Sequence, residues 1–416
     1  MIKLQVFEYQ SITYQGRHKL EGFDVKHFEA FERYYNENER TPYFELISKG
    51  IRFKSHVGVI QIGELIIEVL PKADRQNSEA NTNQWQGILL EMLKTCRLLT
   101  ASKTSDASLK LKGNSVLKLY FELYLIELEG LMQKGLIKKY RQHQSQQKTL
   151  KGALVFSEQI KRNLVHKERF FVRHTQYDKM HVLHQVLKEA LLVLEGFDRE
   201  GIFTDRIGRI LLNFPVVDRL RIQASVFDQI PNDRKHEPYH DALSIAKLLL
   251  LNYRPDIKGG REDLIALMFD MNMLWEEYVF RILKRELHEE WEVIGQEQHY
   301  FWENKTIKPD IILRRRSDNL TYIIDTKWKI PEENRPADND LKQMFAYNHL
   351  WKCRCSILLY PCAGQNDFYG KYRQDLMLGE TRVPHYCGLF FFNLVEQIKS
   401  SSRSALGSQI LGFIES

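Results

Sequence analysis

Between Lys308 and Ile330 the chain reads KPDIILRRRSDNLTYIIDTKWKI, two short β-rich runs around a polar turn, and no other stretch restricts the fold as much. Ile311, Ile312 and Leu313 form an apolar run, Ser317-Asp318-Asn319 a turn cluster, and Leu320 to Ile324 the returning strand, all bounded by Pro309 and Pro331. A turn centred on Ser317 and Asp318 sets Ile311 opposite Ile324 and Asp310 opposite Asp325. Strand side chains alternate, so Lys327 projects to the side of Asp325 while Thr326 and Trp328 point away.

Two carboxylates at cross-strand spacing repel each other and call for a cation between them. Hard oxygen ligands with open positions suit Mg²⁺, which makes Asp310 and Asp325 the expected metal ligands. Lys327 beside that ion would hold or deprotonate a water, or stabilise charge building on a phosphate under attack. These residues suit metal-assisted phosphodiester hydrolysis; a charged hairpin on a solvated face is the other reading of them. The order PD followed by DxK resembles the signature of the PD-(D/E)xK nuclease superfamily, with Asp310, Asp325 and Lys327 at its three positions.

Residues 263–288 carry apolar side chains at Leu264, Leu267, Met268, Met271, Leu274, Trp275, Tyr278, Val279, Ile282, Leu283 and Leu287, the spacing of one amphipathic helix. Glu276 lies at the flank of that stripe, where the superfamily resemblance implies a helix glutamate that joins the catalytic set. Downstream, Gln343 and Tyr347 stand four apart on one helix face. They resemble the QxxxY element of RecB-like members, which implies a supporting role. Cys355 to Tyr360 and Gly388 to Leu394 read as buried strands closing the sheet.

A chain of 416 residues is long enough for two or three domains, each with its own core. No apolar run approaches the roughly eighteen residues a membrane span needs, and Met1 to Gln10 lacks the apolar core of a signal peptide, so the cytoplasm is the expected compartment. Cys96, Cys353, Cys355, Cys362 and Cys387 are too few and too unevenly placed for a disulfide framework. With His385 the last four match no common zinc spacing. A net charge of +6 permits nucleic-acid binding without demanding it. Basic residues gather at Lys138-Lys139-Tyr140-Arg141 with His143 and Lys148, and at Arg314-Arg315-Arg316 beside the expected metal site. A phosphate backbone would pass the second cluster, which makes Arg314, Arg315 and Arg316 candidates for DNA contact.

The expected fold is a mixed α+β and α/β multidomain chain: a β-rich N-terminal region over 1–72, a mainly helical region over 73–260, and a restriction-endonuclease-like domain of PD-(D/E)xK type over 261–416. In the first, Lys3 to Phe7, Ile51 to Phe53 and the run from His56 to Lys72 are strand-like, with a turn at Gly63-Glu64. Residues 73–84 read as a polar loop. Helical spacing follows over Ile88 to Leu99, Val116 to Met132 and Met180 to Leu194, and Lys151 to Ile160 reads as a short strand or turn entering a helix capped at Ser157. His181 and His184, with His166 and His174 nearby, have no carboxylate at a metal-binding offset and read as surface or core histidines. No GxxxxGK[ST] loop is present in the sequence, so this chain does not hydrolyse nucleoside triphosphates by that route. Gly259-Gly260 is the expected linker ahead of a complete C-terminal domain.

The runs HVGVIQIGELIIEVLPK (56–72), TLKGALVFSEQIKRNLVHKERFFVRHTQYDKMHVLHQVLKEAL (149–191), LMFDMNMLWEEYV (267–279) and the PD…DTKWK hairpin are similar to the McrC family, the nuclease subunit of 5-methylcytosine restriction systems that act in phage defence. The resemblance implies that residues 1–260 dock on and stimulate a hexameric, GTP-hydrolysing AAA+ partner of the McrB type. It further implies that the partner reads the modified cytosine and that the C-terminal domain cuts the double-stranded DNA. An activator with an idle nuclease site, and a free-standing nuclease on DNA ends or junctions, are the alternatives.

Overall fold

The structure, a computed structural model, describes residues 1–37, 41–72, 79–96, 98, 116–254, 264–329, 331, 335–361, 366–399 and 406–415. The chain divides into two compact units, one formed by residues 117–267 and one by residues 2–116 together with 268–416. These are not the boundaries expected from the sequence, because the N-terminal strands, in a sheet of their own, fall in the same unit as the C-terminal sheet. Buried bonds show why: Trp328 Nε1 donates to Glu8 Oε1 at 2.7 Å, and the Cys96 thiol lies 3.7 Å from the carbonyl of Leu274. Residues 261–416 are thus tied by buried bonds to the N-terminal region, although the core around Ile312, Leu358 and Met344 is drawn from that segment alone. The expected Gly259-Gly260 linker lies outside the described residues.

In the unit formed from both ends, Ile2–Phe7 pairs in parallel with Leu65–Leu70, which pairs antiparallel with His56–Ile62 across a turn where Gly63 has φ +55°. Every residue of Leu65–Leu70 is buried, Glu68 included. That carboxylate is tolerated because Gln5, Gln86 and the backbone of Val116 donate to it and Lys3 lies 3.2 Å away. Ser11–Thr13, Gly50–Phe53 and Phe44–Ile47 make a three-stranded sheet beside the helix Val25–Glu37. The expected loop over 73–84 is instead helical from Glu79, in the helix Glu79–Thr95. Trp85, Ile88, Leu89, Met92 and Leu93 supply its buried face, and their i, i+3, i+4 spacing outweighs a polar first turn.

The same unit holds a six-stranded sheet in the order Trp291–Gly295, Ile311–Arg315, Thr321–Thr326, Cys355–Tyr360, Tyr386–Phe391, Phe368–Lys371. Its first three strands are antiparallel, and the next two pairings are parallel. Ile312, Ile323, Leu358 and Leu389 pack with Met344, Tyr347 and Trp351 of the helix Asp338–Trp351. The alternate residues Ile311, Leu313, Ile324 and Leu359 are also fully buried, and the helix Met271–Glu286 packs against the strands Trp291–Gly295 and Thr321–Thr326. Cover on both faces is why these strands read as continuous apolar runs. The single helix expected over 263–288 is a strand, Leu264–Asp270, followed by the helix from Met271. A short buried apolar run does not reveal its period; the break is set by Asp270, whose carboxylate caps the helix by accepting from Asn272 N at 2.8 Å.

The unit 117–267 contains the helices Val182–Phe197, Thr204–Asn213 and His240–Leu251, and most of Val116–Lys134. It is not helical throughout. Lys139–Gln147 pairs over nine residues with Phe170–Asp178, which also pairs with Ala153–Leu154. Ser157 is not a cap: the helix Phe156–Asn163 begins ahead of it, and the cap position is Val155 with no side-chain bond. No helix among the described residues is long and apolar enough to cross a membrane.

Candidate active site

The hairpin Ile311–Arg315/Thr321–Thr326 has the register its turn predicts, Ile311 opposite Ile324, Ile312 opposite Ile323, Leu313 opposite Tyr322 and Arg314 opposite Thr321. Asn319 takes the left-handed conformation at φ +58°, and Asp318 accepts from Leu320 N and from the Arg315 guanidinium, which closes the turn. At the open end, Asp325 is 1% exposed while Asp310 is half-buried. Asp310 Oδ2 accepts from Thr326 N at 2.7 Å and from Thr326 Oγ1 at 2.8 Å, so the carboxylate is clasped across the mouth of the hairpin. Thr326 was expected to face away; its hydroxyl instead reaches round to Asp310.

Lys327 forms an ion pair with Asp325 Oδ2 and lies 3.8 Å from Asp340 and 3.4 Å from Gln343 Oε1. Gln343 Nε2 sits 3.4 Å from Asp325 Oδ1 and donates to Tyr347 Oη at 2.7 Å, and Tyr347 Oη in turn donates to the Lys308 carbonyl at 2.6 Å. One face of the helix Asp338–Trp351 thereby fixes both carboxylate-bearing segments of the hairpin. On the preceding helix, Glu276 accepts from Gln296 Nε2 at 2.6 Å, and Gln296 Oε1 accepts from Lys308 Nζ at 3.2 Å. The six residues singled out in the sequence by spacing and by resemblance, Glu276, Asp310, Asp325, Lys327, Gln343 and Tyr347, are thus joined in one network.

The electrostatics of that network mark a shortage of positive charge. Burial, and after it the charge of Asp310, pushes the Asp325 carboxyl well above the usual carboxylate range, against the pull of Lys327. Glu276 is raised by burial, with the Gln296 hydrogen bond opposing and Asp310 adding to the rise. Burial alone would lower Lys327, but Asp325, Asp340 and Asp310 outweigh it, so the ammonium form is favoured. Tyr347 is raised by burial and by Asp325.

Among the described residues no three or more His, Cys, Asp or Glu side chains are disposed to hold a metal ion by themselves. Asp310 and Asp325 instead offer two oxygen donors whose mutual repulsion a cation would relieve. That suits Mg²⁺, which keeps several waters and takes one or two carboxylates together with substrate phosphate. Of the basic cluster, Arg314 is drawn toward Glu292 and Glu297 at 3.8 and 3.7 Å, and Arg315 is engaged by Asp318 and lies over Trp291. The Arg316 side chain is exposed. His184 is fully buried against His181, with ring centroids 4.1 Å apart, and burial lowers its pKa to about 4. Cys353, Cys355 and Cys387 are buried free thiols that burial pushes upward. Cys362 lies outside the described residues.

Four contributors were missed by the sequence reading. Thr326 sits between the D and K of the DxK motif, and Lys308 immediately precedes PD, so both were adjacent to a signal already in view. Asp340 lies three residues before Gln343 on the same helix, where i,i+3 spacing points it at Lys327 and Lys329. Gln296 carries no local signal, because its role depends on a strand pairing that brings Gly295 opposite Ile311.

Known proteins agree with this architecture. The sequence model of the McrBC 5-methylcytosine restriction system component matches residues 51–361. No curated protein matches the chain. Among solved structures the fold is similar to a chain of the refined half-complex from the tetradecameric assembly of Thermococcus gammatolerans McrB AAA+ hexamers with bound McrC. The TM-score is 0.69 at 17% identity, over 99% of this chain and 100% of that one. The cryo-EM structure of the Thermococcus gammatolerans McrBC complex gives a TM-score of 0.49 at 19% identity, over 68% of this chain and 88% of that one. With a family match that spans the hairpin and most of the chain before it, this protein belongs to the McrBC 5-methylcytosine restriction system component family.

Proposed function

We propose that the chain is the endonuclease subunit of a modification-dependent restriction complex, a nuclease of PD-(D/E)xK type that cuts double-stranded DNA carrying a modified cytosine. The observation that carries the proposal is the meeting of Asp310, Asp325 and Lys327 at the mouth of one hairpin, with Glu276 tied to it through Gln296. Asp310 and Asp325 would hold Mg²⁺, which when bound polarises a phosphate oxygen and acidifies a coordinated water. Lys327, favoured as an ammonium, stabilises negative charge that builds on the phosphate. Thr326 orients Asp310, Gln343 orients Lys327 and Asp325, and Tyr347 fixes the Lys308 carbonyl next to Asp310. Glu276 adds a third carboxylate on the side of Asp310.

The partner we assign is a hexameric AAA+ GTPase of the McrB type, stimulated by the unit 117–267. Support comes from the similar solved fold, which was determined with McrB AAA+ hexamers, and from the surface of that unit. Phe156, Ile160 and Leu164 are 71%, 63% and 71% exposed, an i, i+4, i+8 stripe on the helix Phe156–Asn163 and its C-cap that nothing in the described unit covers, and Val165 just beyond it is 84% exposed. The test is cleavage of modified-cytosine duplex by the complex with Mg²⁺ and GTP. Asp325→Ala is expected to lower cutting at least about a hundredfold while GTP hydrolysis is still stimulated. Undiminished cutting overturns the assignment. Stimulation by wild type without any cutting makes the chain an activator, and cutting without partner or GTP makes it a free-standing nuclease.

A further inference from the structure

Between Gln296 and Lys308 the chain leaves the site as a separate hairpin. His299–Trp302 pairs antiparallel with Lys305–Ile307 as a two-stranded sheet of its own, turning where Glu303 has φ +41°. Its roots are fastened to the catalytic network. Gln296 holds Glu276 through its side chain and Asp310 through its backbone, N to carbonyl at 3.2 Å. Lys308 receives Tyr347 Oη on its carbonyl. Trp351, one turn beyond Tyr347 on the same helix, stacks on His299 with centroids 4.1 Å apart and donates to Glu297 at 3.0 Å.

The outer part of this hairpin is bare by comparison. Tyr300, Phe301 and Trp302 are 72%, 55% and 61% exposed. Three adjacent rings are thus open to water along one strand of the ribbon. The register shifts between Tyr300 and Trp302, an irregularity of the kind that adds local twist to a strand pair. Exposed apolar surface of this kind marks a binding site. From Gln296 to Trp302 the chain spans at most roughly 20 Å, about six base pairs along a duplex that rises about 3.4 Å per pair.

We infer that this hairpin is a nucleobase-contacting element, whose rings stack on or wedge between bases beside the site at Asp310 and Asp325 where the backbone would be cut. The inference rests on the nuclease reading above. DNA is the favoured occupant because the ribbon is rooted in the residues that hold the catalytic carboxylates, so a polymer threaded through that site passes the rings. Every base offers a π face, which makes such contact tolerant of sequence, and inserted apolar side chains kink a duplex by partly unstacking it. Exposed Lys305 on the return strand sets a cation beside the rings for the backbone.

The experiment uses the full chain with its AAA+ partner and a modified-cytosine duplex carrying 2-aminopurine next to the cleavage site. Wild type is compared with the variant Tyr300→Ser/Phe301→Ser/Trp302→Ser. Without Mg²⁺, wild type is expected to change the 2-aminopurine fluorescence, and the variant to leave it unchanged and bind about tenfold or more weakly. With Mg²⁺ and GTP the variant should cut at least about tenfold more slowly, with GTP hydrolysis and the melting temperature unchanged. Binding and cutting equal to wild type overturn the inference. Loss of GTPase stimulation with DNA affinity retained also overturns it, by making the rings a protein contact. Cutting by wild type alone decides the nuclease reading, and the difference between wild type and variant decides the hairpin, so the two fail separately.

Discussion

The strand pair Ile311–Arg315 with Thr321–Thr326 and the strand pair Lys139–Gln147 with Phe170–Asp178 are both antiparallel, but water reaches them differently. In the first, Ile311, Ile312, Leu313, Ile323 and Ile324 are fully buried. In the second, Lys139–Gln147 has no buried residue, and Phe171 and Val172 are the buried residues of its partner. What holds the exposed pair is side chains facing each other across the ladder. Tyr140 and Tyr177 have ring centroids 4.6 Å apart, His143 and His174 meet edge to face, and Arg141 bonds Asp178 at 3.0 Å. Burial on both sides gives a rigid frame in which two carboxylates can be held together against their repulsion. An exposed ribbon cannot pay that cost, but it can present side chains to another molecule.

If the contrast is functional, damage to the two regions separates into two readouts. The largest effect belongs to the buried frame. Lys327→Ala is expected to cut at least about a hundredfold more slowly while the partner's GTP hydrolysis is stimulated as before. Phe156→Ser with Leu164→Ser, on the helix beside the exposed ribbon, should lower GTPase stimulation about tenfold, the scale of an interface anchor, with the melting temperature unchanged. Parallel assays of GTP turnover and DNA cutting decide. The contrast breaks if Lys327→Ala abolishes stimulation, or if the Phe156/Leu164 variant stimulates fully.

A smaller effect sharpens the comparison on the side of stability. Glu8 is buried against Trp328, the residue next to Lys327, and burial raises its carboxyl to about 7, against hydrogen bonds from Trp328 Nε1 and Lys72 N. Between about pH 4.5 and 7 the folded chain therefore holds a proton that the unfolded chain has lost. Stability from this group is fully present below that window and is lost as pH rises through about 7, on the order of 3 kcal/mol in all. Glu8→Gln keeps the accepting oxygen and removes the charge. Urea unfolding at pH 5 and pH 8 should show a smaller loss in the variant than in wild type; an equal loss would place the titration elsewhere.

The same contrast explains what could be read from the sequence. The register of the buried hairpin was legible because two apolar runs and one polar turn admit a single pairing. Their four-residue spacing, with the resemblance to the QxxxY element, made Gln343 and Tyr347 legible as well. The strand Lys139–Gln147 read only as a basic cluster, since its partners lie in Phe170–Asp178 and no local pattern names them. The same limit hid the association of the N-terminal and C-terminal regions in one unit, where one hydrogen bond joins Glu8 to a tryptophan 320 residues away. Leu264–Phe269 failed for another reason: six apolar residues in a row fit a strand or a buried helix equally, and only Asp270 tells them apart.

Thr326 gives the finest test, because its expected orientation was the one part of the hairpin geometry that did not hold. Its backbone and hydroxyl both donate to Asp310 Oδ2, at 2.7 and 2.8 Å, and the residue is nearly buried. Thr326→Val keeps the branched shape and the backbone bond but removes the hydroxyl, so Asp310 loses one of two restraints. The expected cost in stability is about 1 kcal/mol. Cutting should fall severalfold, and the fall should shrink as Mg²⁺ is raised, because a less firmly oriented Asp310 weakens ion binding before it alters chemistry. Thr326→Ser restores the donor and should restore the metal dependence even if it packs less well. A Thr326→Val enzyme with the wild-type Mg²⁺ dependence would mean that the backbone bond alone orients Asp310, and that the alternation rule had assigned the threonine correctly in all that matters for catalysis.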